Sequence, residues 1–246
     1  MICSICGQNI QGRYYYDFWN HTFCVHHYDC GEVATCTSCS AMVHTDSVLR
    51  LNDGRCLCKS CQAQVVNLPE QIDRLRKIVI IKLLDEGVHY KDKYLESVPI
   101  QIVSAQELAR LRNAPVNVNN KGVTITKGIS SVIGSMIGFS PILSHKVYIL
   151  ENQIKIEFMG TLAHELLHVW QNENQVKLPP PQCEGLCNLG SWLIYSTVSD
   201  PKTSYFLKSI KESPDPVYGD GFRHVYGVYE RVGWEGVLEA AKNGTL

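Results

Sequence analysis

The chain has 246 residues, of which 45% are hydrophobic and 19% charged, and its formal net charge is −1. This length and composition indicate one ordinary domain with a smaller one and exclude a disordered chain. The near-neutral charge excludes the strongly basic surface typical of nucleic-acid-binding proteins. The first residues lack the pattern of a secretory signal, and the least polar stretch, residues 129–143, is too short to span a bilayer. We therefore expect a cytoplasmic protein that binds neither nucleic acid nor membrane.

The first 64 residues form a cysteine-rich block. Nine of the 11 cysteines lie within the first 61 positions, and six of these form C-x2-C pairs. This spacing, with an odd cysteine count and no secretory signal, favours metal thiolates over disulfides. Strand-like segments such as residues 13–18 give so small a block little core. We therefore expect bound zinc to stabilise residues 1–64 as a separate zinc-binding module.

Two C-x2-C pairs, separated by 18 residues, predict one closed structural zinc site. Each pair supplies two thiolates, and four thiolates complete a tetrahedron around Zn2+. The four predicted ligands are Cys36, Cys39, Cys58 and Cys61.

A second structural zinc site begins with Cys3 and Cys6, the first C-x2-C pair. Its other two ligands must come from the histidines and cysteines between residues 21 and 30. We favour Cys24-x2-His27, which has the required spacing. The closest alternative is His21-x2-Cys24, in the order that a LIM module uses. The remaining candidates in this segment are His26 and Cys30.

Residues 65–246 contain helical and strand patterns typical of an α+β domain. Apolar residues at three- and four-residue steps predict helices, and short β-branched runs predict strands. Ser104 is the predicted cap of one helix, with Glu107 at the capping-box position. The predicted elements are a helix at 69–87, a strand at 98–103, a helix at 105–112, strands at 122–127 and 146–150, and helices at 156–174, 182–198 and 234–242, with a loop at 213–221.

The helix at 156–174 carries the sequence His164-Glu165-Leu166-Leu167-His168, which has the H-E-x-x-H pattern of zinc peptidases. Residues i and i+4 lie on one face of a helix, so both imidazoles can bind one zinc ion. The glutamate between them can act as general base on a zinc-activated water. An apolar stripe on the opposite face lets the back of the helix pack while the polar face lines a cleft. The pattern therefore predicts a zinc-dependent endopeptidase.

Catalytic zinc requires a third protein ligand, and Glu184 is our prediction for it. It follows a proline turn and begins the next helix, which would return antiparallel towards the histidines. Asn188, one turn further on the same face, could orient a ligand. Alternatives for the third ligand are Cys183, Glu173 and His224.

Amide hydrolysis also needs a group that stabilises the negative charge developing on the carbonyl oxygen. The C-terminal segment from residue 217 onwards contains several candidates. We take His224 and Tyr226 as catalytic candidates. Tyr218 and Arg223 remain alternatives.

Several segments together match the pattern of one known family. They are the first C-x2-C pair, residues 36–39, residues 51–61 with Asn-Asp-Gly-Arg, residues 162–170, residues 184–187 and residues 216–223 with Val-Tyr-Gly-Asp-Gly-Phe-Arg. Over nearly its whole length the chain resembles the LIM-containing peptidases of the plant organ-size regulator type (the DA-one family) and their bacterial relatives.

The resemblance implies a LIM-like zinc module at residues 1–64, followed by a gluzincin-like metallopeptidase domain at residues 65–246. With the ligand sets above, we expect one catalytic and two structural Zn2+ ions. The family's peptidase is latent; in plants it is activated by ubiquitylation and cleaves regulatory proteins, so the resemblance implies protein substrates and ubiquitin as a partner. The alternative function is a protein–protein interaction module, in which the LIM-like part recruits a protein and the second domain is a latent or inactive scaffold.

Overall fold

The structure, a computed structural model, describes residues 1–90, 95–129 and 142–246. It is mixed α+β with small sheets, as the sequence predicted. The chain divides into two compact units, residues 1–66 with 152–155, and residues 67–151 with 156–246. The apolar stretch at residues 129–143 lies almost entirely outside the described residues. Among the described residues, no helix is both long and apolar enough to cross a membrane.

The first unit is built from three two-stranded antiparallel sheets, each formed by strands adjacent in sequence. Two of these sheets are followed directly by a short helix, which begins beside a cysteine at the end of the second strand. The elements are β1 (Tyr14–Tyr16), β2 (Thr22–Cys24), α1 (Val25–Asp29), β3 (Val33–Thr35), β4 (Met42–His44), β5 (Val48–Arg50), β6 (Cys56–Cys58) and α2 (Lys59–Gln62).

A buried carboxylate joins two of the small sheets within the first unit. Asp17 is 5% exposed. Its side chain accepts hydrogen bonds from the main-chain N–H groups of Trp19, His21 and Met42 at 2.9 Å each. The first two contacts shape the loop between β1 and β2, and the third holds β4 against that loop. Because a buried charge is costly without partners, these contacts fix the arrangement of this small unit.

The second unit contains a three-stranded sheet of order β7-β9-β8, with β7 (Ile100–Val103), β8 (Gly122–Ile129) and β9 (Ile142–Leu150). Strand β7 is parallel to β9, and β8 is antiparallel to it. Ser104 begins α4 (Ala105–Arg112) by accepting from Glu107 N at 3.2 Å, which confirms the predicted cap. In the described part of the chain, β8 lies at an edge of the sheet.

The other helices of the second unit are α3 (Pro69–Asp85), α5 (Lys155–Glu173), α6 (Pro180–Thr197), α7 (Thr203–Lys211) and α8 (Tyr218–Asn243). Helix α5 is buried along most of its length, including the polar residues Glu157, Thr161, Glu165 and Gln171. Its apolar residues pack on all sides, as expected for a central helix.

The C-terminal prediction was partly wrong. The predicted loop at residues 213–221 ends earlier, because α8 already begins at Tyr218. The Asp215 carboxylate accepts from the main-chain N–H groups of Val217 and Tyr218 at 2.8 Å each, which starts the helix after the proline-rich turn. The predicted helix at 234–242 is the part of α8 that follows a break at Gly233, where φ is 68°. Helix α7 was not predicted.

Candidate functional site

Helix α5 presents His164 and His168 side by side. Their ring centroids lie 4.9 Å apart, as the i, i+4 spacing predicts. The side chains of Leu162 and Leu166 are buried on the same helix at 0% and 1% exposure, which fixes its rotation. Both imidazoles therefore face one cavity of about 640 Å3.

Helix α6 brings Glu184 to the two histidines. The helix begins at Pro180, directly after a turn rich in proline. Glu184 Oε2 lies 3.1 Å from His164 Nε2 and 3.5 Å from His168 Nε2. Metal–ligand distances of about 2.0–2.1 Å in a tetrahedron place the ligand atoms about 3.3 Å apart. Both separations from Glu184 Oε2 are thus close to those between ligand atoms of a tetrahedral zinc ion.

A neighbouring amide orients the ring of His164. The side-chain Nδ2 of Asn188 donates to the main-chain O of Tyr218 at 2.9 Å. The other amide atom, Oδ1, therefore faces His164 Nδ1 at 3.0 Å and accepts a hydrogen bond from it. Since Nδ1 donates to Asn188, Nε2 of His164 is the ring nitrogen that faces Glu184.

The second histidine has the same arrangement with a different amide. Gln171 Nε2 donates to the main-chain O of Cys183 at 2.9 Å, so its Oε1 faces His168 Nδ1 at 3.1 Å. His168 Nδ1 therefore donates to Gln171, and its Nε2 is the ring nitrogen that faces Glu184. Gln171 follows His168 on the same helix, but no sequence pattern indicated its role, because that role depends on α6.

One ring nitrogen of each imidazole thus faces the same carboxylate oxygen. Glu184 Oε2 is buried, and among the described residues no hydrogen-bond donor satisfies it. Burial alone would raise the pKa of Glu184, but its contacts with His164 and His168 outweigh burial and hold the pKa well below its usual value. A carboxylate that faces two imidazoles at these distances is a set of ligands that a divalent ion such as zinc takes in proteins. The donor set therefore fits a divalent metal ion.

Cys187 is a second candidate ligand beside the histidines. One ligand atom each from His164, His168 and Cys187 lies within 4.8 Å of the others, so this group could also hold a metal. The Cys187 sulfur, however, lies 3.3 Å from His168 Nδ1, on the edge of the ring that faces away from Glu184. Burial raises the pKa of this thiol to about 12. We therefore favour Glu184, which faces Nε2 of both histidines.

The three remaining candidates for the third ligand make different contacts. The Cys183 thiol donates to Gln171 Oε1 at 3.1 Å. Glu173 Oε1 lies 3.6 Å from His145 Nε2, at the end of α5. His224 is exposed on α8 and does not line the cavity.

Glu165 lies beside this group with its carboxylate against the edge strand. It is 4% exposed and lines the cavity. Thr124 Oγ1 on β8 lies 2.8 Å from Glu165 Oε2 and 2.9 Å from the main-chain O of the same residue. A side chain at Gly122 would meet Glu165 Oε1 at 2.6 Å, so the absence of a side chain there makes room for the carboxylate. The sequence did not predict either strand contact.

Tyr218 is the C-terminal candidate that lines the cavity. Its ring stacks near His164 with centroids 6.4 Å apart. Burial, with the negative charge of Glu184, raises the pKa of Tyr218, while a hydrogen bond with Arg112 acts in the opposite direction. The phenol therefore remains protonated at neutral pH and can donate a hydrogen bond.

The structure does not bring His224, Tyr226 or Arg223 to the cavity. Tyr226 packs its ring against Trp192 and two other aromatic residues of α8. Arg223 donates to main-chain oxygens of the turn before α8. The geometry of α8 explains this. Arg223 and His224 follow Tyr218 by five and six residues and point away from its face of the helix, and Tyr226 lies about 12 Å further along the helix axis.

Glycines allow α6 and α8 to approach closely enough to place Tyr218 beside the site. A Cβ atom at Gly185 would lie 2.3 Å from the main-chain O of Gly221. A Cβ atom at Gly221 would lie 2.0 Å from the main-chain O of Pro181. These distances leave no room for a side chain between the two backbones.

The first unit contains the four-cysteine cluster that the sequence predicted. One sulfur from each cysteine lies within 4.8 Å of the others, and all four residues are buried. The Sγ atoms of Cys39 and Cys58 are 3.9 Å apart, close to the roughly 3.8 Å expected for thiolates at about 2.3 Å from zinc. Contacts with neighbouring thiols hold the pKa of Cys36 well below its usual value. The cluster is Cys36, Cys39, Cys58 and Cys61.

The second cluster is also brought together, and it could hold a metal. Its ligand atoms lie within 4.8 Å of one another. His27 Nδ1 contacts Glu32 Oε2 at 2.6 Å, which leaves Nε2 free to face the cysteines. The alternative residue His21 instead contacts Asp17 at 2.8 Å and is half exposed. A competing group of His26, His27 and Cys30 shares His27 but is more exposed. The favoured cluster is Cys3, Cys6, Cys24 and His27.

The described residues therefore provide two cysteine-rich clusters and a cavity whose lining includes His164, His168, Glu165, Glu184 and Tyr218. No family model, curated protein or solved structure matches the chain. We therefore build the functional proposal on the chain's own residues.

Proposed function

We propose that the chain is a zinc-dependent endopeptidase that hydrolyses peptide bonds of protein substrates. The observation that carries the proposal is the convergence of His164 Nε2, His168 Nε2 and Glu184 Oε2 beside the buried carboxylate of Glu165. A zinc ion at this point would polarise the substrate carbonyl and make a water molecule more acidic. We further propose the LIM-like and gluzincin-like arrangement of the DA-one family, which the motifs resemble.

The residues of the chain then have distinct tasks. Glu165 accepts a proton from the attacking water and passes it to the leaving amine, as a general base and then a general acid. Tyr218, protonated and facing the same cavity, donates a hydrogen bond to the carbonyl oxygen as negative charge develops there. Asn188 and Gln171 keep the imidazoles oriented through their Nδ1 atoms.

The edge strand supports a peptide as the substrate. Gly122, Val123 and Thr124 of β8 line the cavity beside Glu165. An extended peptide can pair with the main chain of an exposed edge strand, which places its carbonyl groups in a fixed register. A peptide bound along β8 would therefore pass next to the general base.

Zinc stoichiometry tests the metal part of the proposal. We expect three zinc ions per chain in the purified parent, and two in the double variant His164→Ala, His168→Ala. The matched control is His89→Ala, since His89 is exposed and lies outside the cavity. Two ions in both the parent and the double variant would contradict a zinc site in the second unit.

Cleavage by a Glu165→Gln variant tests the chemistry. Gln keeps the shape of the side chain but cannot accept the proton, so we expect a loss of about 10²- to 10⁴-fold in kcat with zinc content unchanged. An unfolded protein is a suitable substrate, with cleavage followed by mass spectrometry. Equal cleavage by this variant and the parent would show that Glu165 is not the base.

A second candidate is a protein-interaction role for the first unit, and exposed tyrosines on both faces of β1 favour it. The rings of Tyr15 and Tyr28 stack with centroids 3.9 Å apart. Tyr16, on the same strand as Tyr15, is 69% exposed. Tyrosine is enriched where proteins bind one another.

Ubiquitin, which the family resemblance suggests, is the first partner to test. Binding by the full chain should weaken in the variant Tyr16→Ser, Tyr28→Ser, and unchanged binding would exclude this surface.

A further inference from the structure

Strand β8 contacts the polar side of α5 through alternate residues. Residues 122, 124 and 126 point to the same face of the strand, because side chains alternate. Along this face, Gly122 and Thr124 contact Glu165, and Thr126 Oγ1 accepts from Asn172 Nδ2 at 3.1 Å. Two polar contacts at different heights thus join the strand to the helix, and only the first involves Glu165.

The Thr124 hydroxyl meets two oxygens of the same glutamate. It lies 2.8 Å from the carboxylate Oε2 and 2.9 Å from the main-chain O of Glu165. Because this one hydroxyl contacts both oxygens, it holds the carboxylate of Glu165 close to the main chain of the same residue. The carboxylate is the stronger acceptor because it is charged. Threonine is also stiff at χ1, so its hydroxyl holds a fixed direction.

Gly122 leaves the space that the other oxygen of the Glu165 carboxylate occupies. Oε1 of Glu165 lies where a side chain at Gly122 would be, at 2.6 Å from an ideal Cβ position. Thr124 Oγ1 thus contacts Oε2, and Oε1 lies against the main chain of Gly122. The group that would clash is the end of a flexible side chain, so a methyl group here moves the carboxylate rather than the backbone.

From these contacts we infer that Thr124 is a positioning residue for Glu165, acting together with the space left by Gly122. This inference rests on the proposed function, in which Glu165 is the general base. The hydroxyl holds Oε2 so that Oε1 is presented to the attacking water in one orientation. Loss of this orientation lowers the rate of the chemical step and leaves substrate binding and the zinc ligands intact.

The test compares Thr124→Val with three other variants of the full chain, each loaded with zinc. Valine keeps the shape of threonine and removes the hydroxyl, so kcat should fall about 10- to 100-fold with KM and zinc content nearly unchanged. Thr124→Ser should restore most of kcat, and Gly122→Ala should reproduce the loss. Thr126→Val, on the same face of the same strand, is the matched control and should retain the parent kcat.

A crystal structure of Thr124→Val gives a second readout that does not depend on activity. The Glu165 carboxylate should occupy a different rotamer while the two histidines keep theirs. An unmoved carboxylate, or a kcat within about twofold of the parent, overturns the inference. An equal loss in Thr126→Val also overturns it, because the strand as a whole would then be responsible. If the parent and Glu165→Gln cleave alike, the proposed function fails, and the crystal structure alone decides whether Thr124 positions Glu165.

Discussion

The substitution Gly185→Ala tests whether the close approach of α6 and α8 holds the site together. The new Cβ atom would lie 2.3 Å from the main-chain O of Gly221 and 2.9 Å from Val225 Cγ2. Ordinary contact begins near 3.4 Å, so the two helices must separate by about 1 Å. Overpacking of this kind typically costs about 1–3 kcal/mol. At roughly 2–4 °C per kcal/mol, the melting temperature should fall by about 2–12 °C.

The same displacement should weaken zinc binding. Glu184 immediately precedes Gly185, and metal ligands tolerate shifts of only about 0.2 Å. We expect the zinc affinity of the second unit to fall at least about tenfold, as measured by competition with a chromogenic chelator. Differential scanning calorimetry of the zinc-loaded chain gives the melting temperature in parallel.

Gly227→Ala is the control for this experiment. Gly227 lies on α8, but its nearest neighbour for a Cβ atom is Arg231 Nη1 at 3.8 Å. Alanine should therefore fit there and stabilise the helix by about 0.5–1 kcal/mol. If Gly185→Ala has the same melting temperature as the parent and binds zinc equally well, the close approach of the helices does not position Glu184.

Two other substitutions follow from single contacts. Asn188→Leu removes the acceptor of His164 Nδ1 and should lower zinc affinity about 10- to 100-fold in the chelator competition; unchanged affinity would contradict the orienting role. Asp53→Asn leaves the buried Arg55 without its carboxylate at 2.8 Å, and should destabilise the first unit by about 1–3 kcal/mol at neutral pH in urea unfolding. Burial raises the pKa of Asp53, but its contacts with Arg55 outweigh burial, so the pKa is lowered. Its contribution is therefore present above the unfolded pKa of about 3.9 and is lost as pH falls below it, so parent and variant should converge in acid.

The residues of the proposed metal sites could be predicted because their spacing is local. His164 and His168 are one helical turn apart, and the proline turn before Glu184 suggested an antiparallel return that the structure contains. Asn188 followed from the same reasoning, because it lies one turn after Glu184. The C-x2-C pairs were equally informative, since each pair forms within one short turn.

The contacts that could not be predicted join segments distant in sequence. Thr124 and Glu165 are 41 residues apart, and no local pattern relates a strand residue to one helix position. Tyr218 was one of four open candidates, because the glycines around it suggested a loop. In the structure those glycines instead allow α8 to begin against α6, so tertiary packing outweighed their low helix propensity.

The amide partners of the two histidines have an electronic consequence. Asn188 and Gln171 are neutral, whereas many zinc histidines donate to a carboxylate. A neutral amide attracts the Nδ1 proton less strongly than a carboxylate does, so each imidazole donates less electron density through Nε2 than it would beside a carboxylate. With Glu184 as the one anionic ligand, a divalent ion here would keep a net charge of about +1. A metal ion with this net charge would strongly polarise a water molecule or carbonyl group at its open coordination position. The same weak electron donation would make the site hold the metal less tightly.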